Sequence, residues 1–351
     1  MNFALYVGLS ADKNFGDWWL YEIIRNELNP LRVIAFDRIL PHNRLRRMAC
    51  HLWSAGIIPR CSCTLLGGGT ILRPIKGYLR QPLFYASKKR YTIGTGARSV
   101  QEMSVFKKLL TKEKCHLRAD IYSEFERLTV RGPLSLESLR SAGVERDIEI
   151  VGDPFLGLFA PDQTVKKDNA KNVVLNVADL DESQGHYWPP RGATVAEAYG
   201  LLISSLSLAG YSTRLVVCAP VDLPFAVRLA QRHALPAPTV ALTIAQFDEL
   251  LRNCGRVIAT RLHFMIYSIL RGVPTASLNY QDKHLDFWQS ILPKKNCLRF
   301  SEFKMSNLLE ECERGWSEFT IQWDQCRSQI ICLNKRRDAL YHEIRASLHN
   351  S

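Results

Sequence analysis

The sequence predicts an α/β protein built from two Rossmann-like domains. Three observations carry that expectation: short apolar runs alternate with amphipathic segments, the alternation restarts after a polar stretch near the middle, and the chain is long for one core. A single interior tends to divide beyond about 250–300 residues, and this chain has 351. Phe3 to Val7, Leu31 to Phe36, Cys61 to Leu66, Tyr91 to Ile93 and Leu128 to Val130 have strand character and fall between helical stretches. Parallel strands joined by right-handed crossovers carry helices on both faces and bring their loops to the C-terminal sheet edge, where ligands bind. Functional residues are therefore expected directly after strands.

The segment from Ala160 to Lys171 is rich in Lys, Asp, Asn and Gln and contains Pro161, which marks an exposed linker. The first domain is accordingly placed at residues 1–165 and the second at 166–305. A second α/β series runs through Val173 to Val177, a helix from Thr194 to Ala209, Arg214 to Cys218, a helix from Leu223 to His233, Val257-Ile258, and Thr275 to Leu278. The remaining segment, 306–351, has long helical periodicity from Leu308 to Leu348 and is expected to pack across both halves.

Composition narrows the function classes. The start, Met-Asn-Phe-Ala-Leu-Tyr-Val-Gly, reads as a buried strand without the basic region and cleavage site of a signal peptide. No apolar stretch reaches the roughly 20 residues of a spanning helix; the nearest, Ala198 to Ala219, carries four serines and Arg214. Ten cysteines in such a chain are expected to be reduced thiols of a cytoplasmic protein. Cys61 and Cys63, one residue apart on a strand, have poor zinc spacing, and no metal site is expected.

A formal charge of +12 and an isoelectric point near 9.3 imply an anionic partner. Nucleic acid is not expected, because finger, aromatic-strand and basic-arm motifs are missing. The basic segment Asn43 to Ala55 places Leu45, Met48, Ala49, Leu52 and Trp53 at helical spacing among Arg44, Arg46, Arg47 and His51. Such a helix could lie on an anionic membrane surface or pack as an ordinary surface helix with solvated arginines; both readings stay open.

Several strand-to-helix junctions carry chemistry. Asn14-Phe15-Gly16-Asp17 offers a close backbone approach at Gly16 and an N-cap at Asp17, which ordinary loop capping would also explain. Gly67, Gly68 and Gly69 follow a strand without the Gly-Lys-Ser/Thr ending of a nucleotide P-loop, and Gly94-Thr95-Gly96 repeats the pattern. Either loop could be only a tight turn. Arg131 stands between a buried strand and a helix, suited to a carboxylate or phosphate, or equally to tying loop carbonyls. Asp153, in Gly152-Asp153-Pro154, reads first as a turn former.

The densest junction is Thr260-Arg261-Leu262-His263. A helix N-terminus beside Arg261 favours an anion, and His263 can move a proton near neutral pH. Further on, Tyr280-Gln281-Asp282-Lys283 adds a lysine that could reach the same place, although alone it would be a surface lysine.

Taken in order, Asn14-Phe-Gly-Asp17, Leu66-Gly-Gly-Gly69, Ile93-Gly-Thr-Gly96, Val130-Arg131, Gly152-Asp-Pro154, Thr260-Arg-Leu-His263, Gly272-Val-Pro274 and Tyr280-Gln-Asp-Lys283 resemble the polysaccharide pyruvyl transferase family over about residues 3 to 290. The resemblance implies a GT-B-like fold with two Rossmann-like domains facing across a cleft. It implies phosphoenolpyruvate as donor, no other cofactor, and a saccharide acceptor in a polysaccharide or on a lipid carrier. Arg131, Arg261, Leu262, His263 and Lys283 would bind the donor, with His263 and Arg261 catalytic. Asn14, Asp17, Gly67, Gly68 and Gly69 would face the acceptor. The chain departs from the family where an acidic residue usually follows the arginine, having Gly132. Two rival readings remain at this stage: a nucleotide-sugar glycosyltransferase of the same architecture and a non-catalytic saccharide-binding protein.

Overall fold

A computed structural model describes residues 3–8, 15–35, 61–69, 72, 87–97, 122–165, 171–180, 194–292 and 307–349. The segment Asn43 to Ala55 and Asn14 lie outside the described residues. The chain divides into two compact units. The first comprises Met1–Asp12, Asp17–Gly157 and Ile330–Ser351; the second comprises Lys13–Gly16 and Leu158–Gln329.

In the first unit, β1 (Phe3–Val7) leads to α1 (Phe15–Glu27), followed by β2 (Arg32–Ala35), β3 (Cys63–Gly67), β4 (Arg90–Ile93), β5 (Thr129–Val130), α2 (Pro133–Ser141) and β6 (Glu149–Ile150). Strands β2-β1-β3-β4 form one parallel sheet and β5-β6 a second. Single parallel bridges from Tyr91 to Arg127 and from Thr95 to Val130 carry the pairing from β4 to the β5 segment. β3 is buried along its whole length, so it reads as a continuous apolar run, as parallel strands covered on both faces do. Cys61 and Cys63 are buried thiols there. On the other face, Leu340, Tyr341, Ile344 and Leu348 pack with Tyr21, Ile24 and Leu28 over β1 and β3.

α1 starts three residues before the sequence suggests. Phe15 packs its ring on Phe247 at 4.0 Å between centroids and donates its amide to the Cys218 carbonyl at 3.1 Å. Asp17 is therefore not the expected N-cap but lies in the first turn, where a carboxylate favours the helix dipole.

The second unit runs β7 (Asn172–Asn176), α3 (Val195–Leu208), β8 (Ser212–Val217), a turn of 3-10 helix at Pro220–Asp222, α4 (Leu223–Arg232), β9 (Thr239–Val240), α5 (Ile244–Arg252), β10 (Arg256–Ala259), α6 (Leu262–Leu270), β11 (Thr275–Ser277) and α7 (Asp282–Ile291). Two more helices follow, α8 (Leu308–Ile321) and α9 (Trp323–His349); α9 clusters with the second unit up to Gln329 and with the first from Ile330. The sheet order is β11-β10-β7-β8-β9, all pairs parallel. The winding direction reverses between β7 and β10, which makes their C-terminal ends a switch point.

Capping explains why the helices start where they do. Thr194 and Glu197 form a reciprocal capping box on α3, and Thr243 and Gln246 do so on α5, each satisfying donors that the helix cannot. α6 is different: Leu262 and Phe264 through Leu270 are all buried, so it is held by packing on every side. α8 covers the sheet through Trp316, whose indole donates to the Val257 carbonyl at 2.8 Å while Arg256 lies over its ring at 4.9 Å. Among the described residues, no helix is long and apolar enough to cross a membrane.

Trp316 is 3% exposed, so its truncation leaves a cavity and removes the indole hydrogen bond. Trp316→Ala is expected to destabilise the second unit by about 3–5 kcal/mol, measured as an earlier urea transition, while Leu208→Ala, at a 90% exposed position, leaves it nearly unmoved.

Candidate functional site

At the switch point of the second unit, the residues ending β7 and β10 are locked to each other. Asn176 is fully buried; its amide nitrogen donates to the Val216 carbonyl at 3.1 Å and its oxygen accepts from the Arg261 amide at 2.8 Å. Thr260 is held twice more. Its hydroxyl meets the Tyr199 hydroxyl at 2.6 Å, and its carbonyl faces His284 Nε2 at 2.9 Å. Since a carbonyl only accepts, that ring nitrogen carries the proton. Tyr199 also accepts from the Ala178 amide at 3.1 Å, and burial pushes its hydroxyl well above the usual tyrosine range.

Arg261 is the extended N-cap of α6 and makes no side-chain cap bond. Its guanidinium instead turns to Asp222, Nε to Oδ2 at 3.0 Å and Nη2 to Oδ1 at 2.6 Å. Asp222 is wholly buried, whereas the Arg261 side chain keeps 16% exposure. The carboxylate is held in turn, accepting from the Asp179 amide at 3.0 Å. Burial alone would lower the Arg261 pKa, but Tyr280 and Asp222 outweigh it and raise the pKa above the ordinary arginine value. The guanidinium thus stays charged and fixed in orientation. The first-turn amides of α6, starting at Leu262, have no intrahelical acceptor and add partial positive charge beside it.

His263 occupies the same first turn, and its ring lies against the backbone of Gly16. A Cβ added at Gly16 would fall 1.8 Å from His263 Nδ1, an overlap no rotamer change of a methyl can relieve. Glycine in the Asn-Phe-Gly-Asp motif is thereby explained by the imidazole it accommodates. Lys283, in the first turn of α7, donates to the Tyr280 hydroxyl at 2.6 Å and lies 4.5 Å from the centre of its ring. Arg261, Leu262, His263 and Lys283, all expected from sequence, therefore belong to one unit and cluster around the N-termini of α6 and α7.

The remaining expected residues belong to the first unit. Arg131 is fully buried; its Nε pairs with Asp153 Oδ2 at 3.0 Å and its Nη2 donates to the Gly69 carbonyl at 3.0 Å. The Gly96 amide donates to that same carbonyl at 2.9 Å. Arg131 thus ties together the two glycine loops, and its Nη1 alone has no partner among the described residues. Asp153 is more than a turn former: its carboxylate orients the Arg131 guanidinium. Gly68 has φ +69°, and a Cβ there would strike Leu20 Cδ1 at 2.4 Å, so packing against α1 already demands glycine. Gly67 ends β3 and accepts from the Tyr6 hydroxyl at 2.7 Å. Asp17 is half-buried in α1.

Three residues at the second site escaped sequence reasoning. Asn176 and Asp222 sit in unremarkable strand-end segments, and their partner Arg261 is 85 and 39 positions away in sequence respectively. Tyr280 was visible in its motif but carried no role. Among the described residues, no group of His, Cys, Asp and Glu side chains could hold a metal ion.

The family model for polysaccharide pyruvyl transferases matches residues 3–282. No curated protein matches the sequence. Among solved structures, the chain is similar to UDP-GlcNAc 2-epimerase from Neisseria meningitidis bound to UDP-GlcNAc, at 11% identity over 100% of both chains with a TM-score of 0.54. It is similar to a glycosyltransferase from Rickettsia africae ESF-5 at 8% identity, covering 99% of this chain and 98% of that one, with a TM-score of 0.54. The wall teichoic acid polymerase TagF matches at 12% identity over 99% and 88%, with a TM-score of 0.50. At these identities the likeness establishes the fold alone, an α/β architecture of parallel sheets of the GT-B type.

The contact between Gly16 and His263 makes a sharp prediction. Gly16→Ala is expected to displace the imidazole and to cost about 1–3 kcal/mol through overpacking. Nuclear magnetic resonance should show the His263 ring signals shifted while those of His342, on α9 in the first unit, stay in place.

Proposed function

This chain belongs to the polysaccharide pyruvyl transferase family, and from that premise we propose that it transfers the pyruvyl unit of phosphoenolpyruvate to two hydroxyls of a saccharide, forming a cyclic ketal and releasing phosphate. The observation that carries this reading is Arg261, fixed by Asp222 at the N-terminus of α6, with His263 two residues on. That combination suits a donor with both a phosphate and a carboxylate, because a planar guanidinium and helix amides each pair with oxyanions.

On this reading, Arg261, the Leu262 amide and Lys283 hold the donor's anionic groups, and His263 delivers a proton to the methylene carbon. The carbon–carbon double bond becomes a methyl group and C2 takes on oxocarbenium character. One acceptor hydroxyl attacks C2, its proton restores His263, and the bond from C2 to the phosphate oxygen breaks. The neighbouring hydroxyl then closes the ketal, its proton leaving with the phosphate. The cations act chiefly on the departing phosphate, where negative charge accumulates in the transition state.

Arg131 is assigned to the donor on the family resemblance alone. Asn14, Asp17 and the Gly67 to Gly69 loop are assigned to the acceptor on the same ground. A lipid-linked acceptor and peripheral contact with an anionic membrane would suit the charge of +12.

The test is phosphate release from phosphoenolpyruvate with a panel of galactosyl, glucosyl and mannosyl acceptors, free and lipid-linked. Wild-type protein should give acceptor-dependent release and a glycan heavier by one pyruvyl ketal. Arg261→Ala and His263→Ala should each lose about a hundredfold or more in turnover, the scale of a lost electrostatic or proton-transfer group. Turnover unchanged by His263→Ala would remove the assigned proton donor.

A further inference from the structure

Tyr280 stands at the junction of the two cations to which the donor has been assigned. It is 2% exposed, yet its hydroxyl receives a hydrogen bond from Lys283 at 2.6 Å and feels the positive charge of Arg261 as well. Among the described residues, no acceptor for the phenol's own proton is found. A buried hydroxyl that accepts from one cation and lies in the field of another is an oxygen whose anionic form is the better partner for its surroundings.

The groups facing it agree. From α7 come Lys283, over the ring face at 4.5 Å, and His284, whose ring meets Tyr280 edge-on at 5.3 Å. From the N-cap of α6 comes Arg261, itself paired with Asp222. Burial would raise the phenol's pKa, but Lys283 and Arg261 override it and bring it below the ordinary tyrosine value.

We propose that Tyr280 is a positioning residue of the donor site: its oxygen is the acceptor that seats Lys283, and in its ionised form it competes with the donor for Lys283 and Arg261. This rests on the assignment of the donor's anionic groups to Arg261 and Lys283. As pH rises, the phenol gives its proton to solvent and one negative charge comes to occupy the site. When an anionic donor binds, the phenolate takes a proton back from solvent, so binding and proton uptake are linked. Donor affinity therefore falls with rising pH, about tenfold per pH unit once the phenolate predominates.

The experiment has two arms on the full chain. Ultraviolet difference titration without ligand compares wild type with Tyr280→Phe and with Lys283→Met; the signal missing from Tyr280→Phe is the Tyr280 step, and Lys283→Met should move it upward by about one pH unit or more. Calorimetric titration with phosphoenolpyruvate across the same range should show wild-type affinity declining with the midpoint of that step, while Tyr280→Phe keeps its affinity through it. An alkaline decline identical in wild type and Tyr280→Phe overturns the role of Tyr280 and leaves the donor assignment standing. A Tyr280 step that responds to Lys283→Met, with no phosphoenolpyruvate bound at any pH, overturns the donor assignment and the proposed role with it.

Discussion

The two-point pair between Arg261 and Asp222 sets what the second unit can present to a ligand. Asp222 is enclosed while Arg261 remains in part accessible, so the carboxylate cannot be solvated and the guanidinium cannot turn away. Removing one member of such a pair leaves a buried charge without compensation, at a cost of about 3–5 kcal/mol. The backbone is fixed as firmly as the side chain: Asn176 holds the Arg261 amide, and Tyr199 and His284 hold Thr260 on either side. These partners come from β7, α3 and α7, which parallel winding brings to one sheet edge. The switch point supplies the place, and the buried polar network supplies a fixed geometry there.

Both arginines singled out by sequence pair with a buried aspartate, but they are spent differently. Arg131 has no exposure and donates to Asp153 and to the Gly69 carbonyl, which makes it part of the frame of the glycine loops. Arg261 uses Nε and Nη2 for its aspartate and keeps 16% exposure. Arg131 is oriented by Asp153, from the loop after β6, with Gly132 as its neighbour in sequence.

The parallel α/β pattern was legible because it rests on local periodicity. The helix expected from Thr194 runs from Val195 with Thr194 as its cap, and the strands after Val173, Arg214 and Val257 fall within one or two residues of their observed bounds. The placement of Arg261, Leu262, His263 and Lys283 at strand-to-helix junctions was legible in the same periodicity. Asp222 was not, since nothing near it in sequence distinguishes a buried counter-ion from a helix-starting aspartate after Pro220. The start of α1 was misjudged for a related reason: aspartate capping is a local preference, and burying Phe15 against Phe247 overrides it. Gly16 shows the limit from the other side, because its glycine is explained only by the imidazole of a residue more than two hundred positions away.

The central claim is that the N-terminus of α6, with Arg261 fixed by Asp222, is a phosphoenolpyruvate site. The most direct test is a competition of ligands on the same protein, titrating it with phosphoenolpyruvate and with uridine diphosphate and following the Arg261 guanidinium resonance by nuclear magnetic resonance. The account predicts saturable binding of phosphoenolpyruvate with a shift of that resonance and little response to the nucleotide. A clear response to uridine diphosphate with none to phosphoenolpyruvate would contradict it and make the site one for a nucleotide sugar.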